Sequence, residues 1–194
     1  MSISALATDS TAYVPLRLRG KPVLTRVLAV LAASMFLAAC SWISVPLLSV
    51  PMTMQTFGVT LVGALFGWRL GAASVLLWLG EAALGMPVLS AGSAGPAYMM
   101  GPTGGYLVAF VIAAALVGWC AERGVTSWGL VSSFGLMVVA NALILLVGAA
   151  WLAHFVGPHK AIALGITPFI VGGLLKAALA TGAIEAARLH LPFR

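Results

Sequence analysis

From Val23 to Leu189 the chain is a near-continuous series of apolar runs, at 23–40, 56–67, 70–84, 104–121, 128–154 and 167–189, with connectors too short to form a domain. About 20 apolar residues suffice to cross the roughly 30 Å hydrocarbon core of a bilayer as a helix. That solvent admits only helices or closed barrels, because every backbone N–H and C=O must find its partner within the protein. Charged residues are 7% of the 194, against roughly 25% in soluble domains, too few to cover a water-soluble globule. A soluble enzyme, a nucleic-acid-binding domain and a disulfide-stapled secreted domain are thereby excluded. The expected fold is an all-α membrane protein: a basic cytoplasmic N-terminal arm over 1–22, then a single six-transmembrane-helix bundle over 23–194.

Runs two and three are short and share Gly67-Trp68-Arg69-Leu70-Gly71, where glycine ends one helix and lets the next begin. They are expected to form a helical hairpin. The first run, closing on Leu37-Ala38-Ala39-Cys40, mimics a lipoprotein-type signal peptide, but more membrane follows it and not a soluble mature domain. Cys40 and Cys120 fall at opposite faces of this topology and cannot pair.

The net charge of +6 comes from ten Lys and Arg. Arg17, Arg19, Lys21, Arg26, Arg69, Arg123, Arg188 and Arg194 lie on one side of the alternation, Lys160 alone on the other, and Lys176 inside the last run. The positive-inside rule therefore places both termini in the cytoplasm and the protein in the cell (inner) membrane. No basic stripe with interleaved aromatics is present, so the partner of these charges is membrane lipid and not nucleic acid. The outer connectors 41–55 and 85–103 hold no charge and are dense in Gly and Pro. They cannot be ordinary helix, and irregular backbone near a membrane is tolerated where it is buried or lines a cavity. Apolar, Gly/Pro-rich extracytoplasmic lid loops over a small-molecule pocket are expected.

Lys176 carries the strongest functional signal, since an ammonium inside an apolar span is costly and about ten helical residues put it roughly 15 Å deep, where snorkelling is hard. Glu81 and Asn141 reach roughly 16 and 21 Å by the same arithmetic. Their bland readings are an ion pair with Lys176 and an interhelical hydrogen bond. Gly101-Pro102-Thr103-Gly104-Gly105 has no following Lys-Ser/Thr, so it is no triphosphate loop and the chain hydrolyses no ATP. Ala91-Gly92-Ser93-Ala94-Gly95 approaches a nucleophile elbow, and with His154 suggests an intramembrane serine hydrolase, but Ala91 stands where the elbow needs its first Gly. The glycine-rich lid is preferred, and no catalytic residue is assigned. His154, His159 and His190 lack ligand-spaced partners, so no metal or cofactor is expected. Small residues recur at helical spacing as Ala29 and Ala33, and as Ser34 and Ala38, which permits close helix contact.

Several segments together resemble a known family. Val50-Pro51-Met52-Thr53-Met54-Gln55-Thr56, the Gly67–Gly71 turn, Leu84-Gly85-Met86-Pro87-Val88, Gly101-Pro102-Thr103-Gly104-Gly105-Tyr106 and Pro168-Phe169 through Lys176 look like the signature segments of BioY, the biotin-specific substrate-binding component of energy-coupling factor (ECF) transporters. The resemblance covers about 23–189. It implies a six-helix bundle with an extracytoplasmic biotin pocket, closed by the first outer connector and the glycine-rich segment before span four. It also implies partners, a transmembrane coupling protein and ATPase subunits that alone use ATP, with Ala29, Ala33, Ser34 and Ala38 as candidate contacts. One departure is that Gly173 stands where the family usually has Asp. Biotin's ureido group has one carbonyl acceptor and two N–H donors, so Lys176 serves the carbonyl and the N–H acceptor must come from Ser93, Asn141 or Glu81. Gly92, Gly173 and Tyr106 complete the expected site. The rival classes are a stand-alone channel or secondary transporter and the intramembrane hydrolase.

Overall fold

The computed structural model describes residues 16, 18–47, 50–127 and 129–190. The basic arm over 1–22 lies mostly outside them, as do Trp128 and Arg194. Apolar side chains on every face make these segments helices that can be buried in protein or lipid alike. Seven are present among the described residues: α1 Val23–Trp42, α2 Gln55–Ala83, α3 Gly95–Met99, α4 Gly104–Glu122, α5 Leu130–Val156, α6 Pro158–Gly165 and α7 Phe169–His190. Five of them are long and apolar enough to cross a membrane. α4 lies at the centre, 61% of its apolar window being buried, and α1 at the periphery with 22%.

Six separate spans were expected; the hydrogen-bonded backbone runs the second and third together as α2. That helix is nevertheless broken at Gly67, whose φ of 77° and ψ of 173° are not helical and belong to a region open essentially to glycine. Its parts, 55–66 and 68–83, are about 18 and 24 Å long. They fold against each other: a Cβ on Gly71 would lie 3.0 Å from Gly63 Cα, eight residues away and about 12 Å along a continuous helix. The turn is thus confined to Gly67, and Gly71 serves close packing inside the second part. Glu122 Oε1 accepts the Trp68 N–H at 3.3 Å, placing a carboxylate at the positive N-terminal end of that part. α4 closes the joint, because Gly118 lies directly on the Gly67 and Trp68 backbone and Gly63 on that of Ala114.

Of the small residues of α1 expected at a partner contact, Ala33 and Ser34 are turned into the bundle, and Ala29 and Ala38 are half-buried. Ala33 and Ser34 are 4% and 0% exposed, Ser34 Oγ donates to Glu81 Oε2 and Ala38 packs on the core. Their size is used where α1 approaches its own bundle. At the opposite end of α7, Arg188 pairs with Glu185 at 2.7 Å and donates to Thr126 O at 3.1 Å, tying that terminus to the turn Val125–Ser127.

The fold is not wholly α. The first outer connector contains a two-residue antiparallel ladder, β1 Ser44–Val45 with β2 Met52–Thr53, in register Ser44 to Thr53. The second forms a single turn at Ser90–Gly92 and then α3. Three indole N–H groups fasten it: Trp42 to Pro87 O at 3.2 Å, Trp78 to Val88 O at 2.9 Å and Trp151 to Gly101 O at 2.9 Å. Such bonds satisfy irregular backbone that has no ladder of its own.

Candidate functional site

A small cavity of about 40 Å³ lies where both outer connectors meet the bundle. Val50, Pro51 and Thr53 of the first connector and Tyr98 and Thr103 of the second contribute to it. Gln55 and Thr56 open α2; Tyr106, Leu107 and Phe110 come from α4, Ile144 and Leu145 from α5, and Phe169 and Lys176 from α7.

Lys176 is 7% exposed and its Nζ donates to Thr53 O at 2.7 Å. An ammonium has three donors, so two N–H bonds remain. Among the described residues no acidic side chain lines the cavity, and Lys176 is the charge in that lining. The carbonyl it grips is held by a relay. Thr53 Oγ1 donates to Gln55 Oε1 at 2.9 Å, Gln55 N–H to Thr53 Oγ1 at 3.2 Å, Gln55 Nε2 to Ser41 Oγ at 3.0 Å, and Ser41 Oγ to Leu37 O at 2.8 Å. Tyr106 is fixed likewise, its OH donating to Gly165 O at 2.9 Å and its ring lying against Gly148, where any Cβ would collide with it. Gly104 and Gly105 let α4 begin directly against Trp151.

Among the described lining residues, two keep a buried side-chain oxygen without a partner. Thr56 Oγ1 and Thr103 Oγ1 are buried without a hydrogen-bond partner. Thr103 is the N-cap of α4 yet makes no side-chain cap bond, although a threonine there ordinarily accepts from an N–H of the first turn.

Of the residues expected from sequence, Lys176 and Tyr106 line this cavity and the others do not. Glu81 accepts from Ser34 on α1 and is not the ion-pair partner of Lys176. Asn141 and Gly173 meet in a neighbouring cleft between α5 and α7, which shares Leu145 with the cavity. Asn141 Nδ2 donates within its own helix to Met137 O at 2.9 Å, and a Cβ on Gly173 would lie 3.9 Å from its Oδ1. Gly92 packs on the Trp42 ring, and Ser93 continues the same turn through its N–H to Ser90 O at 3.0 Å. His154 is exposed, with Nδ1 3.2 Å from Ala150 O, so no Ser93–His154 dyad is assembled. Thr53, Gln55, Thr56, Tyr98 and Thr103 were not picked out as site residues from sequence. Thr53, Gln55, Thr56 and Thr103 lie in the segments that carry the family resemblance, which was their signal, and Tyr98 had none.

A model of the BioY family matches residues 10–193. The probable biotin transporter BioY of Pyrococcus horikoshii is 45% identical over 148 residues, which is 76% of this chain and 85% of that protein. The biotin transporter BioY of Thermotoga maritima is 35% identical over 151 residues, covering 77% and 86%. Among solved structures, the S-component for biotin from an ECF-type ABC transporter superposes with a TM-score of 0.70 at 25% identity, over 88% of this chain and 95% of that one.

Proposed function

The chain belongs to the BioY family, and on that footing we propose that it is the biotin-binding membrane component of an ECF-type uptake transporter. It takes biotin from the extracytoplasmic side and hands it to an ATPase-driven coupling module. The observation that carries this reading is Lys176, a buried ammonium lining a cavity to which no described residue brings an acidic counter-charge. A lysine left so at depth is stabilised by a ligand acceptor, and the ureido carbonyl of biotin is one.

In this reading the two parts of α2 are spans two and three of a six-span bundle. The support is their fold-back at Gly63 and Gly71, which returns the chain to the side from which α2 began. The outer connectors act as the lid, supported by their shared lining of the cavity and by the three tryptophans that anchor the second one. Energy comes from partners, a transmembrane coupling protein and ATPase subunits, since the Gly101–Gly105 loop lacks the residues to cradle a triphosphate. The chain itself is a carrier component and not an enzyme.

The direct test is native mass spectrometry of the protein purified in mild detergent from biotin-supplied cells. A bound mass equal to biotin is expected. A different small molecule retained there, with biotin unable to displace it, would sink the reading.

A further inference from the structure

We propose that the hydroxyls of Thr56 and Thr103 accept the two ureido N–H groups of biotin while Lys176 donates to the ureido carbonyl. The assignment rests on the biotin reading above and deepens it by naming how a urea is told from its look-alikes.

It follows from an inventory of the cavity's polar atoms. A cyclic urea presents one acceptor and two donors in a plane, so a complementary site needs one strong donor and two acceptors. Lys176 supplies the donor, with two N–H bonds left after Thr53 O. The acceptors named from sequence lie elsewhere, Glu81 on Ser34 and Asn141 in the neighbouring cleft. Within the cavity, Gln55 is engaged at both ends of its amide, by Thr53 and Ser41, and the Tyr106 OH is drawn onto Gly165, donating to its O and lying 2.5 Å from where a Cβ there would stand. Among the described lining residues, Thr56 Oγ1 and Thr103 Oγ1 are the side-chain oxygens buried without a partner, and the Tyr98 hydroxyl is one further polar group of the lining.

An unpaired buried hydroxyl is costly and therefore rare in folded proteins, and two beside one cavity ask for a common cause. Each hydroxyl oxygen has lone pairs for an incoming N–H, and its own proton rotates to suit. The two threonines open different helices, α2 and α4, and each follows a different outer connector. A urea bound between them would therefore bridge both connectors, coupling recognition to closure of the site.

The test compares Thr56→Val and Thr103→Val, which keep side-chain shape, with the wild type in detergent. Three titrants are used: biotin, and its two cyclic-carbamate analogues in which one or the other ureido N–H is replaced by oxygen. Each variant is expected to bind biotin about five- to tenfold more weakly, the usual worth of one neutral hydrogen bond. It is expected to bind one of the two analogues within about twofold of the wild type, because the N–H that the lost hydroxyl served is already absent. Thermal unfolding without ligand gives a second readout: removing an orphaned hydroxyl is expected to leave the midpoint unchanged or raise it. Biotin affinity equal to wild type in both variants would overturn the assignment and leave the biotin reading standing, as would an equal loss on all three ligands. No biotin binding by the wild type would overturn the biotin reading and the assignment together.

Discussion

Lys176 stands out because few arrangements make a buried ammonium tolerable. Its bond to the Thr53 carbonyl replaces part of its hydration, and a ligand carbonyl would replace more. Lys176→Ala is accordingly expected to weaken biotin binding more than tenfold, since a hydrogen bond from a charged donor contributes about 1.5 to 3 kcal/mol. The same change is expected to leave ligand-free stability equal or higher, because an unpaired buried charge opposes folding. Titration and thermal unfolding of one purified variant check both halves, and unaltered affinity would make the lysine structural. This residue was legible in the sequence, whereas Glu81 and Asn141 were legible only in depth. Counting residues at 1.5 Å each fixes height along a helix, but each further residue also turns the side chain by about 100°, the angle implied by 3.6 residues per turn. A small error in where a helix begins therefore moves a side chain to another face. Glu81 faces α1 and Asn141 the cleft beside α7, at heights that the arithmetic alone matched to Lys176.

The helical hairpin shows what glycine spacing does and does not convey. Two glycines at 67 and 71 announce a tight reversal, yet only Gly67 has a conformation that demands glycine, while Gly71 is small because Gly63 lies on it. Gly67→Ala is expected to be strongly destabilising. Its backbone region costs a residue with a Cβ about 1 to 3 kcal/mol, and the new methyl would meet the Glu122 carboxylate that caps the second part. Gly80→Ala is the control, because that position is helical with nothing within 4 Å of an added Cβ, and alanine is about 1 kcal/mol better than glycine in a helix. A fall in unfolding midpoint for the first and none for the second is the expected pair. The small residues of α1 carry the same lesson. Spacing of four says that another backbone comes close, not whose, and Ala33 is buried within the core. Ala33→Leu is therefore expected to cut biotin binding and assembly with partners together, through lost packing; a variant that folds and binds normally but fails only in uptake would return that face to the partner.

For the whole molecule, the membrane class and the helical bundle were legible because low charge and long apolar runs leave bilayer solvation as the remaining option. The β ladder of the first connector and the grouping of the cavity's polar atoms were not, since both depend on contacts between residues far apart in sequence. Orientation joins the two kinds of information. Gly118 lies against Trp68, so Arg69, next to the α2 break, and Arg123, just after α4, occupy one end of the bundle. α5 then rises 27 residues, about 40 Å, before Lys160 appears in α6, which puts that lysine at the opposite end. Geometry thus separates the ends, and the excess of basic residues predicts that the Arg69 and Arg123 end faces the cytoplasm. The prediction is read by single cysteines placed at these positions with Cys40 and Cys120 replaced by Ala. A membrane-impermeant maleimide applied to intact cells is expected to label Lys160→Cys at once, and Arg69→Cys and Arg123→Cys only after permeabilisation. Labelling of Arg69→Cys in intact cells, with Lys160→Cys protected, would invert the molecule and put the mouth of the cavity in the cytoplasm, where it could not capture biotin for uptake.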